Sequence, residues 1–374
     1  MIEQHYYTRE RKGIYSKTPG YDTIAKSNKL EDEFIIGTLH DLCFYEIPAS
    51  LAGEENGSKY PVSLFCVNTE DNRMILGQSV FCGKDYTGQR NRYFTHNYVI
   101  SEDERNEYIE NPEKIIFSGG FVSDYDINKG SVISQVLKIK ENREKDCFGS
   151  INELFSSTNL CKETFLNLIR ACFDIAKHKK KIYIVLDSNL DNMEILAKGI
   201  LKYLYRALPF DLRKRIGFIT YMKEPKNKEL INIVFLCKGS IKRINTELKS
   251  GYIFNIADNN FHLEGIDEEE HIFLDFIMDN IENKQKLNEF FYKAQTSIDD
   301  SKLDIRCYDN ILNPLSLNPE ETMITEENEE ECGRKYNTDY EHQLKDVNKY
   351  KRKIYGIYKK INDFILKIKT KLTK

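Results

Sequence analysis

The run KIYIVLD at 181–187 constrains the fold of this chain more than any other stretch. Alternate side chains of a strand leave opposite faces, so a strand that is apolar throughout needs cover on both. Its neighbours are suited to supply that cover. In TFLNLIRACFDIAK (164–177), Phe165, Leu168, Ile169, Cys172 and Phe173 recur at i, i+3, i+4, i+7 and i+8, one face of a helix. After the run, Met193, Leu196, Ala197, Ile200, Leu201 and Leu204 repeat the stripe until Leu208 and Pro209 stop it. RIGFIT (215–220) and LINIVFLC (230–237) read as further strands. Helix, strand, helix, strand and strand imply a partly parallel sheet with helices packed on it, and residues 149–300 are assigned to an α/β middle domain. Within it, FHLEGIDEEEHIFLDFIMDNIENKQKLNEFFYKA (261–294) reads as one helix, its acids at 268–270 opposing the helix dipole.

Residues 1–148 have a different texture. PVSLFCVNT (61–69), RMILGQSVFC (73–82) and RYFTHNYVI (92–100) are separated by a short polar turn and by the loop GKDYTGQRN, which describes an antiparallel meander. QHYYTR (4–9), GYDTIAK (20–26) and EKIIFSG (113–119) read as strands, and LEDEFIIGTL (30–39) as a short helix capped near Ser27 or Asn28. This is a β-rich domain, and the chain as a whole is α+β.

One histidine in the meander raises a chemical question. Phe94, His96, Tyr98 and Ile100 share one face of their strand, so His96 sits among aromatic residues on the side expected to be buried. A neutral core imidazole with a hydrogen-bond partner accounts for it. The sharper reading makes His96 a general acid or base with Asp85, Arg90 and Asn97 as partners, and Tyr7 and Arg9 nearby. Gly83 and Gly88 would then let backbone amides approach a phosphate or carboxylate. The same glycines serve an ordinary turn, and the bland reading is preferred.

Other chemistry is poorly supported. Nine cysteines form no CxxC pair and accompany no HExxH pattern, so no metal site or cofactor is expected. Packing explains Cys161 and Cys172. DSNLDN (187–192) opens like a calcium loop, but Asn192 stands where glycine belongs and Lys198 where the bidentate acid belongs. Asp187 does follow a buried strand, where open α/β sheets place ligands; Ser188 with Asp191 reads as a helix cap. The chain contains no G-x-x-x-x-G-K-[ST]. A net charge of -4 argues against a nucleic-acid binder. With no leader and no long apolar run, a cytoplasmic protein with reduced thiols is expected.

The C-terminal part changes character again. Residues 301–340 read as an acidic, partly disordered linker: PEETMITEENEEEC (319–332) has seven acids and no base. Residues 341–374 read as a basic helix. Val347, Tyr350, Ile354, Ile357, Ile361, Phe364 and Ile368 are spaced alternately by 3 and 4, a heptad seam. Each such side chain gains about 1.5–3 kcal/mol when buried, so the seam calls for a covering surface. The candidates are the protein's own body, a partner or second copy, and, less favoured, an anionic membrane.

Certain stretches carry a resemblance. QHYYTRERKGIYSKTPGYDTIAKS, GQSVF and DYTGQRNRYFTHNYVI together resemble the type 2 N-terminal domain of bacterial GTPase-associated protein 1, over about the first 150 residues. LPFDLRKRIGFITY (208–221) is similar to a segment of that family's middle region. The resemblance implies a component of GTPase-centred signalling or conflict systems acting beside a separate GTPase, and it carries no catalytic residues to transfer. A non-enzymatic adaptor or regulatory subunit is therefore expected, presenting the heptad seam to its partner. The alternative is an enzyme or a sensor of a phosphate- or carboxylate-bearing ligand at the Asp85, Arg90 and His96 region.

Overall fold

Ten strands form a single sheet that runs through both of the regions distinguished above. The computed structural model describes residues 1–298 and 303–313, apart from positions 52, 55, 179 and 191. The chain begins with β1 (Glu3–Glu10) and β2 (Gly20–Lys26), and a helical segment follows. That segment comprises α1 (Asp32–Phe34), a π turn (Ile35–Leu39) and α2 (His40–Leu42). The meander is β3 (Ser63–Asn68), β4 (Met74–Lys84) and β5 (Asn91–Ile100), and α3 (Glu102–Glu110), α4 (Glu113–Ile116), β6 (Ser118–Gly119) and β7 (Lys140–Glu141) complete the first region. Next come α5 (Ile151–Thr158), α6 (Lys162–His178), β8 (Ile182–Leu186), α7 (Met193–Ala207), α8 (Phe210–Arg213), β9 (Phe218–Met222) and β10 (Ile233–Cys237). The described residues end with α9 (Thr246–Lys249), β11 (Tyr252–Asn255), β12 (Asn260–His262), α10 (Ile272–Asn280), α11 (Lys284–Gln295) and α12 (Ile305–Leu312).

The strand order is β12-β11-β8-β10-β9-β3-β4-β5-β1-β2, with β6 and β7 forming a separate small ladder. β11, β8, β10 and β9 are parallel; from β3 to β2 every pairing is antiparallel. Phe65↔Ile219 and Cys66↔Phe218 join the halves, so the sheet crosses the 148/149 boundary without a break. The fold is mixed α+β around this large mixed sheet.

Alternation along the strands divides the core into two layers. Ile182, Ile184 and Leu186 face α6, α7 and the later helices. Tyr183 and Val185 face Phe34, Ile35, Leu39 and Leu42 of the α1–α2 segment and Leu248 of α9. Beyond β5, the loop carrying Val122, Tyr125, Ile127 and Ile133 covers Tyr6, Ile24 and Phe94.

The parallel strands are connected in a regular manner. From β8 the chain passes over the first layer through α7 to β9, two places along the sheet. From β9 to β10, and from β10 through α9 to β11, it returns in the opposite direction over the second layer, burying Ile231 and Leu248 there. Opposite directions on opposite faces keep one handedness throughout, as the twist of sheet and helix demands. The connections leaving β8 and β10 therefore part to opposite faces, which makes a topological switch point between two adjacent strands.

Several sequence expectations need correction. The first helical segment starts after Glu31, not at Ser27 or Asn28; Ser27 is buried, and its Oγ accepts from Gln4 N at 2.8 Å. Residues 113–116 are helical, started by Pro112, leaving two residues of strand. The stretch 261–294 is two helices: Asn283 caps α11 by accepting from Lys286 N at 3.1 Å, and the acids at 268–270 precede α10 and its N-cap residue His271. Ser188 does not cap α7; its hydroxyl lies 3.5 Å from Met193 Sδ. Cys161 is exposed, against Thr164 Oγ1 at 3.1 Å, whereas Cys172 is buried as expected. α12 falls inside the expected linker, capped by Asp304. The rest of that linker, from 314, and the heptad seam lie outside the described residues.

Candidate functional site

His96, the first candidate, is fully enclosed. Val122 N–H donates to its Nδ1 at 3.1 Å, which places the ring proton on Nε2, where it meets Gln4 Oε1 at 3.0 Å. Gln4 is fixed in turn by donating to Ser134 O at 2.6 Å. Tyr6, Tyr98 and Phe121 pack around the imidazole with centroids at 4.7, 4.4 and 5.5 Å. Burial pushes its pKa down to about 3, and a proton on Nδ1 would face the Val122 N–H. This imidazole is a neutral structural group.

The proposed partners lie elsewhere. Asp85 organises its own turn: Oδ1 accepts from Thr87 Oγ1 at 2.6 Å and Thr87 N at 3.1 Å, while Arg9 Nε donates to Oδ2 at 2.9 Å. The Thr87 hydroxyl, and then Arg9, hold the carboxyl well below the usual carboxylate range against the opposing effect of burial. Gly83 and Gly88 have φ of 82° and 73°, the left-handed region the turn requires, and Arg90 is exposed. Arg9 and Asp85 thus come together. Among the described residues no hydrogen bond or ion pair links His96 to Asp85 or Arg90.

Asn97, one position along, belongs to the other face of the sheet and to a network that sequence reading missed. Its amide donates to His5 Nδ1 at 3.0 Å and lies 3.2 Å from Cys43 Sγ. His5 Nε2–H then meets Thr23 Oγ1 at 2.7 Å, and the Thr23 hydroxyl reaches His40 Nε2 at 2.8 Å. Tyr7 and Tyr15 pack on His40 at 5.2 and 5.8 Å. Burial lowers the pKa of both histidines and pushes the Cys43 thiol up to about 12, so the cysteine is held as an inert thiol. The missing signal was register: His5 and Thr23 meet through the β1–β2 pairing, which shifts between Tyr6 and Tyr7.

A second cluster has metal-ligand chemistry. Asp267, Glu269 and His271 each offer a donor atom within 4.8 Å of the others. These atoms already have partners: His271 Nε2 lies 3.2 Å from Asp267 Oδ2 and its Nδ1 2.6 Å from Asp309 Oδ2, and Arg306 holds Glu269 through two contacts at 2.6 and 3.1 Å. Arg306 and Asp309 both lie on α12, so docking of that helix accounts for the arrangement.

At the switch point itself there is a crevice of about 400 Å³. Ser188 and Leu190 follow β8, Lys238, Gly239, Ser240 and Lys242 follow β10, and Lys223 and Glu224 follow β9, with Pro48, Ala49 and Ser50 closing one side. Lys238 is anchored between Asp187 at 3.0 Å and Asp258 at 3.2 Å. No helix of the described residues is long and apolar enough to cross a membrane.

Two family models match the chain. Residues 1–139 match the family described as GTPase-associated protein 1, N-terminal domain type 2, and residues 156–258 match GTPase-associated protein 1, middle domain. No curated protein matches the chain. The first match covers β1 to β6, the second α6 to β11, so the family's two domains correspond to the antiparallel and parallel halves of one sheet.

Proposed function

The chain belongs to the GTPase-associated protein 1 family, with its type 2 N-terminal domain and its middle domain, and from that premise we propose that it acts as a non-enzymatic adaptor or regulatory subunit. It binds a separate GTPase, or proteins associated with one, in a bacterial signalling or conflict system. The observation that carries this reading is the pairing of both family domains across one continuous sheet, which makes them a single platform. The enclosure of His96 supports it, because the histidine singled out as a candidate acid or base is committed to Gln4 and Val122. The sequence lacks a phosphate-binding P-loop, so the GTPase is assigned to another chain. The heptad-patterned segment with Val347, Tyr350, Ile354, Ile357, Ile361, Phe364 and Ile368 supplies the docking seam in this proposal.

The test is affinity capture with the full chain as bait in its native host, with GDP or a non-hydrolysable GTP analogue added. Recovery of a GTPase, favoured by one nucleotide and reduced by Ile361→Asp, is the expected result. Nucleotide turnover by the purified chain alone would overturn it.

A further inference from the structure

The crevice at the carboxyl ends of β8, β10 and β9 has no role in the adaptor reading, and its construction calls for a ligand. Open α/β sheets bind small molecules outside the carboxyl ends of their strands where neighbouring connections part to opposite faces, because the loops there are left splayed. Here β8 leaves through α7 over one layer and β10 through α9 over the other. The volume of about 400 Å³ lies in the range of small-molecule sites and is too small for a polymer.

The lining narrows the chemistry. Lys223, half-buried, and Lys242, exposed, line the crevice and make no ion pair among the described residues. Lys238, by contrast, is neutralised by Asp187 and Asp258 and serves to brace the β10 turn. That turn closes with Ser240 N donating to Cys237 O at 3.0 Å, and Gly239, at φ 81°, has open space where a Cβ would stand. Two uncommitted ammonium groups beside an open glycine turn suit a phosphate. Ser50, Ser188 and Ser240 add hydroxyls, and Glu224 an acceptor for a ligand hydroxyl. Pro48, Ala49, Leu190 and Tyr221 add apolar lining that a bare anion would leave unused.

The other end of the same strands provides a contrast. A cavity of about 510 Å³ there is lined by Glu70, Glu229, Lys181 and Arg215, among others. Its lysine is already spent: Lys181 Nζ donates to Lys228 O at 2.7 Å and to Ile231 O at 2.6 Å. That cavity also has apolar lining from Ile175, Ala176 and Leu230, so among the described residues it is the two unpaired lysines that set the carboxyl-end crevice apart from it.

We propose that this crevice binds a small organic phosphate, a sugar phosphate or a mononucleotide, with its phosphate between Lys223 and Lys242 and its organic body against Leu190 and Ala49. It is a sensing or positioning site.

Isothermal titration of the full chain at low salt tests the assignment, with GMP, ribose 5-phosphate, guanosine and inorganic phosphate as probes. GMP or ribose 5-phosphate is expected to bind at least about tenfold more tightly than inorganic phosphate, about 1.4 kcal/mol, and guanosine to give no heat. Binding by ribose 5-phosphate equal to that of GMP assigns the sugar phosphate as sufficient; tighter GMP binding assigns the nucleotide. Lys223→Gln and Lys242→Gln should each weaken binding about tenfold without moving the melting temperature. Ser50 is exposed, so Ser50→Trp should fill the crevice and abolish binding while the fold persists. Absence of heat with every probe, equal affinity for inorganic phosphate, or full binding in a folded Lys223→Gln/Lys242→Gln variant would each overturn the proposal.

Discussion

The two halves of the sheet are built from opposite materials. In the parallel half, every residue of β8 and Ile233, Val234, Phe235 and Leu236 of β10 are buried and apolar. In the antiparallel half, β1, β2 and β5 bury Gln4, His5, Thr8, Thr23, Thr95, His96 and Asn97 beside their apolar residues. An apolar core gains stability from burial in proportion to area. A polar core must pair its groups, and an unmet partner is costly. The difference teaches where to look for chemistry. In the antiparallel half the buried histidines His5 and His96 are already committed to neighbouring hydrogen-bonding groups. In the parallel half β8 and residues 233–236 of β10 offer no hydrogen-bonding chemistry of their own beyond the Tyr183 hydroxyl, and uncommitted polar groups gather beyond the strand ends.

The contrast can be challenged by substitution, beginning with the largest effect. Phe235→Ala, in the apolar half, should cost about 3–5 kcal/mol of unfolding free energy in a denaturant titration, since Phe235 has no exposure to solvent. A loss below about 1 kcal/mol would mean that the parallel half is loosely packed. His96→Gln should cost about 1–3 kcal/mol at neutral pH, because the Val122 amide or the Gln4 side chain loses its partner. A variant that melts like the wild type but loses binding of a ligand or partner would break the assignment of His96 to structure.

The pH dependence sharpens the same comparison. His96 titrates near 6.5 when unfolded and near 3 when folded. Protonation therefore favours the unfolded chain. The stability that neutral His96 contributes is complete above about pH 6.5 and is lost as pH falls toward 3, by up to about 1.4 kcal/mol per unit. His5, also driven down by burial, should add to the slope. Urea midpoints measured between pH 7 and 4 should fall more steeply for the wild type than for His96→Gln; parallel curves would contradict this. The smallest effect is expected at the surface. Lys226→Ala, which removes a partly exposed 2.7 Å pair with Glu46, should change stability by less than about 1 kcal/mol.

What could be read from sequence follows the range of each signal. KIYIVLD and the meander at 61–100 carry their structure in local periodicity, and β8, β3, β4 and β5 lie where that periodicity puts them. The phase of Phe94, His96 and Tyr98 likewise foretold a buried imidazole. The single sheet was not legible, because it depends on the pairing of Phe65 with Ile219 and Cys66 with Phe218, some 150 positions apart. Nor was the break between α10 and α11: apolar residues continue on both sides, and Asn283 alone marks the new cap. The His5–Thr23–His40 network needed the β1–β2 register, and the crevice needed the strand order. Asp187 was a faint pointer to it, following the buried strand, yet it serves to hold Lys238.

The account rests on the polar half being closed to chemistry, and the tautomer of His96 tests this most directly. Nitrogen-15 NMR of histidine-labelled protein, followed from pH 8 downward, should show His96 as the neutral Nε2–H form, unchanged until the fold is lost. A native-state titration of His96 with a midpoint near 6.5 would contradict it, because that imidazole would be within reach of solvent and substrate.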